Sequence, residues 1–369
     1  GADVWVDRCG SVPAPAFTVT KLAWVADNEP ELIDRIDKVM LPHDHLTWKL
    51  TGEHVTDRGD ASGTGWWSPS IEDYVDEVIE LVAPSVVDKL PRVLGPTAVA
   101  GTVSAAAAAA LRIPADVAVG PGSGDNMGGA LGLGLQPGDL AISVGTSGTA
   151  YAVSGTPTAD ETGFVAGFAD ATGNFLPLVC TLNATKVTEA FRRLLGVDYA
   201  ELDELALSAP VGAGGVVLIP YLDGERTPNR PNATGLLTGV RSDVERSQIA
   251  RAAFEGVVCG LLDGVEALES AGVSLEGRTF LIGGGAKSAA FGRIMADLSQ
   301  RQLTIPIDDE TVATGAAVQA AVVTGHGTFA EVADRWNLGH GSVIDPDHDV
   351  ADAATDARRH YRRARDLTE

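Results

Sequence analysis

Between residues 20 and 52 apolar side chains recur at helical spacing in TKLAWVADNEPELIDRIDKVMLPHDHLTWKLTG, broken at Pro30 and Pro42, which predicts two or three helices. Asp44 is placed to cap a helix over 45–51 that Gly52 ends. A loop rich in Gly, Ser and Asp is expected at 57–65, followed by a helical stretch near 71–82. From residue 116 the period shortens. DVAVG reads as a short buried strand, the glycine run GSGDNMGGALGLG covers 122–134, and LAISVGTSGTAYAVSG forms a strand, turn, strand unit. Helical spacing returns over 184–196 and 246–272, with strand candidates GVVLIP and TFLIGGG between and after them. The mixture predicts an α/β chain with a domain boundary near 119, and no solenoid repeat is present.

Composition narrows the function. With 369 residues and 45% hydrophobic content, the chain is long enough for two domains, each with its own core. Lys plus Arg number 27 against 50 Asp plus Glu, and the net charge of -23 argues against nucleic acid or an anionic membrane as partner. Cys9, Cys180 and Cys259 are widely spaced and odd in number, so neither a disulfide framework nor a zinc site is indicated, and a reducing cytoplasm is expected. No apolar run approaches the roughly 18 residues of a membrane span. The chain opens GADVWVDRCG, without an initiator Met, and reads as a fragment.

Three glycine-rich segments could carry chemistry. GTSG at 145–148 gathers N–H groups and the hydroxyls of Thr146 and Ser147 around one concavity suited to phosphate oxygens, although an ordinary hairpin turn has the same sequence. LIGGGAKSAAFGRIMADL at 281–298 runs a strand through Gly283, Gly284 and Gly285 into a helix, a layout that seats a ligand at the helix N-terminus. It is not a Walker loop, since Ala286 rather than glycine precedes Lys287. Neither glycine run is a strict GxGxxG, which weakens a dinucleotide oxidoreductase. In the third segment, Asp125 sits where a carboxylate works against a bound phosphate. A phosphoryl acceptor must lose its hydroxyl proton, and a carboxylate among small residues is suited to take it. The competing reading is that Asp125 N-caps a helix beginning near Asn126.

Taken together these segments resemble the FGGY carbohydrate kinases, and within them the xylulokinases most closely. GLLTGVRSDVERSQIARAAFE, from Gly235 to Glu255, fits a signature of the family through both glycines, its spacing and its terminal acid. FTVTKLAWVADNEPEL, LPHDHLTWKLTG, DRGDASGTGWW, SGDNMGGALGLG, SVGTSG, YLDGERTP and IGGGAKS are similar to segments of that group in family order, over essentially the whole chain. The resemblance implies an actin-like (ribonuclease H-like) α/β fold of two domains, with 1–119 the remainder of a sugar-binding N-terminal domain and 120–369 the ATP-binding domain. It implies Asp125 as catalytic base, Asn126 as a holder of sugar hydroxyls, Gly145, Thr146 and Ser147 in a phosphate loop, and Gly284, Gly285 and Ala286 at the adenosine pocket. Asn183 is expected to cap the helix after TLN, while Glu225 and Arg226 are given no chemical step.

The implied reaction is transfer of the γ-phosphoryl group of ATP, with Mg²⁺, to a sugar hydroxyl. D-xylulose is the expected acceptor, with gluconate, ribulose or glycerol as alternatives, and a non-catalytic remnant as a further one. Family members begin with a first phosphate loop that carries an acid near the metal, and nothing equivalent precedes Gly1. The chain by itself is therefore expected to turn over poorly. The oligomeric state is open, and a homodimer is allowed.

Lesser features are read structurally. His43 and His45 flank Asp44 in PHDH, which reads as a surface turn with no metal assigned. The RGD triplet at 58–60 is taken as coincidence, and Trp66 and Trp67 as domain packing at least as readily as sugar stacking. RRHYRRARD at 358–366 reads as a solvated helix face.

Overall fold

The computed structural model describes residues 1–368. The chain divides into two compact units. One comprises Gly1–Pro137, Val153–Pro177 and Glu310–Gly339, and the other Gly138–Ala152, Leu178–Asp309 and His340–Glu369. The first unit thus runs past residue 119 and takes up two later stretches of chain.

In the first unit the helices Thr18–Asn28, Pro30–Ile33 and Pro42–Thr51 form where the apolar spacing placed them. Pro42 opens the last of these at a position where its missing N–H costs nothing, and Gly52, at φ 84°, closes it by donating to the Trp48 carbonyl at 2.7 Å. The cap expected at Asp44 is corrected. Because the proline starts the helix earlier, Asp44 lies inside the first turn and its Oδ2 accepts from the Leu41 N–H at 2.8 Å. The loop expected at 57–65 is likewise interrupted by the helix Arg58–Ser62. Asp57 nucleates it by accepting from the Gly59 N–H at 2.7 Å and the Asp60 N–H at 3.3 Å. Arg58 is buried against Glu72 and Asp170, so the RGD triplet is not displayed. The next helix begins only at Asp76, because Asp73–Tyr74 pairs with Trp67–Ser68 as a small antiparallel ladder. Trp66 and Trp67 are each 1% exposed in a cluster with Phe17, Val19, Ile79 and Val86, which makes them core rather than a sugar platform.

The strand Ala118–Val119, paired with Gly101–Thr102, leads into the helix Asp125–Gly132. That helix crosses Thr311–Val323 at backbone contact. A Cβ on Gly132 would overlap the Thr311 carbonyl oxygen, and one on Gly315 the Gly128 carbonyl oxygen, so glycine is required at both crossing points.

In the second unit neighbouring strands run in the order Gly341–Ile344, Leu303–Pro306, Thr279–Ile282, Leu140–Val144, Gly148–Ala152 and then Leu178–Thr181. Thr279–Ile282 is parallel to both of its neighbours, with Ile282 opposite Ser143, while the other pairs are antiparallel. The helix Arg246–Ser270 supplies much of the core, and its Phe254 meets Phe291 edge-on at 4.7 Å. Glu255, the last acid of the family-like signature, is buried, ion-paired with Arg251 at 2.7 Å and bonded to the Gly212 N–H at 2.9 Å, so it serves packing. The basic tail forms the helix Ala351–Arg365 and is not simply a solvated face. Arg358 and Arg362 engage Glu266, Arg365 meets Asp263 at 2.6 Å, and Tyr361 is buried, because Asp263 and Glu266 share one face of their own helix. Among the described residues no helix is long and apolar enough to cross a membrane, and the three cysteines are free.

Candidate active site

Asp125 and Asn126 open the helix Asp125–Gly132. Its N-cap is Gly124, which makes no side-chain cap, so the reading in which Asp125 caps a helix starting near Asn126 is overturned. The Asp125 Oδ1 accepts from the Asn126 N–H at 2.7 Å and from its Nδ2 at 2.9 Å, and both residues stay accessible. A carboxylate in a first helical turn is favoured by the helix dipole. The preceding turn is fastened on one side by Gln319, whose carboxamide accepts from the Gly122 N–H at 3.1 Å and donates to the Gly122 carbonyl at 2.9 Å.

On the other side the same turn rests on an ionic cluster that sequence reasoning missed. His43 Nδ1 lies 2.9 Å from Asp60 Oδ2, and its Nε2 lies 3.2 Å from Asp57 Oδ1 and 3.3 Å from Asp44 Oδ1. The N–H directions miss these oxygens, so the contacts are ion pairs rather than hydrogen bonds. A Cβ on Gly122 would come within 2.6 Å of His43 Cδ2, and one on Gly124 would overlap the Asp60 carboxylate. Burial disfavours the charged imidazole, but the Asp57 and Asp60 carboxylates and the Asp44 charge outweigh it and push His43 up to about 10. Burial also raises the carboxyls of Asp44 and Asp57 against the pull of His43. PHDH is therefore no surface turn, since Asp44 is 1% exposed. The available signal was the pair of glycines flanking Ser123, which imply that something approaches the turn closely.

The nucleotide candidates all belong to the second unit. Gly145, Thr146 and Ser147 form the turn between Leu140–Val144 and Gly148–Ala152, closed by the Gly145 N–H donating to the Ser147 carbonyl at 3.0 Å. Gly284, Gly285 and Ala286 follow Thr279–Ile282, and a Cβ on Gly285 would clash with the Val144 side chain and carbonyl. The two glycine turns thus leave the C-terminal ends of adjacent parallel strands and touch at Val144, the place where open α/β sheets seat ligands. The helix Thr185–Leu195 is tied to the first turn, because Thr185 donates to the Gly145 carbonyl through its N–H at 2.9 Å and its hydroxyl at 2.8 Å. Asn183 does not cap this helix, whose N-cap is Ala184. Its buried carboxamide instead donates to the Gly224 carbonyl at 2.8 Å and to Glu225 Oε2 at 2.9 Å, and Glu225 Oε1 accepts from the Leu182 N–H at 2.6 Å. YLDGERTP accordingly shapes the loop ahead of the helix.

Paired glycine turns at the ends of parallel strands define a nucleotide-binding α/β protein. Comparison with known proteins is more specific. Residues 3–132 match the N-terminal domain, and 140–324 the C-terminal domain, of the FGGY family of carbohydrate kinases. The chain is 47% identical over 347 residues to a xylulose kinase of Streptomyces coelicolor and 45% identical over 348 residues to one of Streptomyces rubiginosus, covering 94% of this chain and 69% of each relative. The crystal structure of xylulose kinase from Bifidobacterium adolescentis superposes with a TM-score of 0.82 at 39% identity, over 97% of this chain and 75% of that one. The chain belongs to the FGGY family of carbohydrate kinases, ATP-dependent enzymes with a two-domain, actin-like α/β fold.

Proposed function

We propose that the protein transfers the γ-phosphoryl group of ATP to D-xylulose, giving D-xylulose 5-phosphate for pentose catabolism. The observation that carries this reading is the 45–47% identity to two xylulose kinases along 94% of the chain. No feature of the structure favours gluconate, ribulose or glycerol, or a non-catalytic remnant, over it.

In this reading the first unit, which carries Asp125 and Asn126, serves the sugar, and the second unit, which carries both glycine turns, serves the nucleotide. Asn126 holds a sugar hydroxyl, and Asp125 takes the proton from the attacking one. As that O–H bond breaks, the oxygen's electron pair forms the new bond to the γ-phosphorus. The bond to the β-bridging oxygen breaks, and ADP departs with its electrons. The N–H groups of Gly145, Thr146 and Ser147 stabilise the charge on the phosphates, while Gly284, Gly285 and Ala286 leave room for adenosine. Magnesium arrives as part of the MgATP substrate, neutralising phosphate charge, and no side chain is assigned to it. Three free cysteines, two of them buried, suit a cytoplasmic location.

Coupled phosphorylation assays over xylulose, ribulose, gluconate and glycerol test the substrate. Xylulose is expected to have the highest kcat/KM, and a clear preference for another acceptor would assign the protein to that sugar. Asp125→Asn is expected to cut kcat by about 10²–10⁴-fold, the usual share of a general base, with ATP affinity retained. Near-normal turnover in that variant would remove Asp125 from the mechanism.

A further inference from the structure

The ionic cluster below the Asp125 turn has no part in the reaction just described, yet it is built with care around one ring. Both His43 nitrogens face carboxylate oxygens, Asp60 on one side and Asp57 and Asp44 on the other. A neutral imidazole would leave three carboxyl groups within 3.3 Å of the ring with no positive charge between them, which the imidazolium supplies. The groups that face His43 come from each element packed on it. Asp44 is on its own helix, Asp57 ends the strand Val55–Asp57, and Asp60 lies in Arg58–Ser62. Gly122–Gly124 brings no charge, while Tyr74, whose hydroxyl donates to the Pro91 carbonyl at 2.7 Å, lies in the field of Asp44 as a neutral phenol held so by burial. Gly122 sits on the ring and Gly124 on the Asp60 carboxylate, each too close for any larger residue.

We propose that His43, packed among Asp44, Asp57 and Asp60, is a positioning residue that fixes the Gly122–Asp125 turn. The turn has Gln319 on one flank and this cluster on the other, so losing the ring frees one of its two supports. A lysine at this position keeps the charge and most of the volume.

The inference rests on Asp125 acting as base, and the test separates the two. In this chain, hydrogen exchange measured by mass spectrometry is expected to rise about tenfold or more across residues 120–127 in His43→Gln, to stay unchanged in Arg246–Ser270, and to return towards the parent in His43→Lys. In the active enzyme His43→Gln is expected to lower kcat about 10–100-fold, the scale of a small misplacement, with the KM for ATP unchanged. His43→Lys is expected to restore kcat towards the parent value. Asp60→Asn, at a partly exposed carboxylate, serves as a second variant and is expected to raise exchange across the same residues by a smaller factor. Unchanged exchange and kcat in His43→Gln, His43→Lys behaving like His43→Gln, or one equivalent of bound metal lost with His43 would each overturn the proposal. If Asp125→Asn stays active while the exchange results hold, the base assignment fails and the support of the turn stands.

Discussion

At the scale of the residue, His43 makes stability depend on pH in a predictable direction. Its ordinary value is 6.5 and the folded chain holds it near about 10. Below 6.5 it is charged folded or unfolded, and the ion pairs contribute fully. As pH climbs from 6.5 through about 10, the folded state retains a proton that the unfolded state gives up, so this contribution declines. Urea unfolding of the parent minus that of His43→Gln, measured across this window, should fall steadily with pH, and a flat difference would show that the ring is not held as a cation. What could be read of such residues from sequence was uneven. Asp125 stood out because an acid among glycines conflicts with phosphate binding, and that conflict is local. The partnership of His43 with Asp57 and Asp60 joins residues 14 and 17 positions apart, and burial, which turns a polar tetrapeptide into an ion cluster, leaves no periodic trace in the chain.

At the scale of the element, the crossing of Asp125–Gly132 with Thr311–Val323 holds the first turn of the Asp125 helix. Gly132→Ala or Gly315→Ala inserts a methyl into a carbonyl oxygen, and overpacking of this kind costs about 1–3 kcal/mol or more. Thermal melts should show a drop of several degrees for either, whereas Gly95→Ala, with nothing within 4 Å of the new Cβ, serves as a near-neutral control. A melt unchanged in both crossing variants would mean that the helices part easily. The long helices were legible because their apolar period repeats over many turns, as in Arg246–Ser270 and Thr185–Leu195. Arg58–Ser62 was not, since a five-residue helix has no period to display and is set by the Asp57 cap alone. The basic tail was misread for a different reason. Its partners Asp263 and Glu266 lie about a hundred residues upstream, and only the packed helix pair reveals that acids and bases alternate across the contact.

At the scale of the whole molecule, the α/β class and both glycine turns followed from sequence, but the division into units did not, because Glu310–Gly339 joins the first unit through the Gly315 crossing rather than through chain order. Net charge, by contrast, is fully visible in the sequence, and it bears on how a polyanionic nucleotide arrives. Lys287, just after one glycine turn in sequence, pairs with Asp309 at 2.7 Å, and Lys186, in the helix tied to the other turn, with Asp223 at 3.4 Å, while the turns themselves offer phosphate backbone N–H dipoles of short reach. At longer range a body of net charge -23 repels ATP. Raising ionic strength from about 10 to about 150 mM shortens the screening length from roughly 30 to 8 Å. At fixed free Mg²⁺ the association rate of ATP, followed by stopped-flow fluorescence, should therefore rise with salt while the dissociation rate changes little. An association rate that falls with salt would mean that a local positive field governs capture, and would place a cationic side chain, rather than the turns alone, at the point of entry.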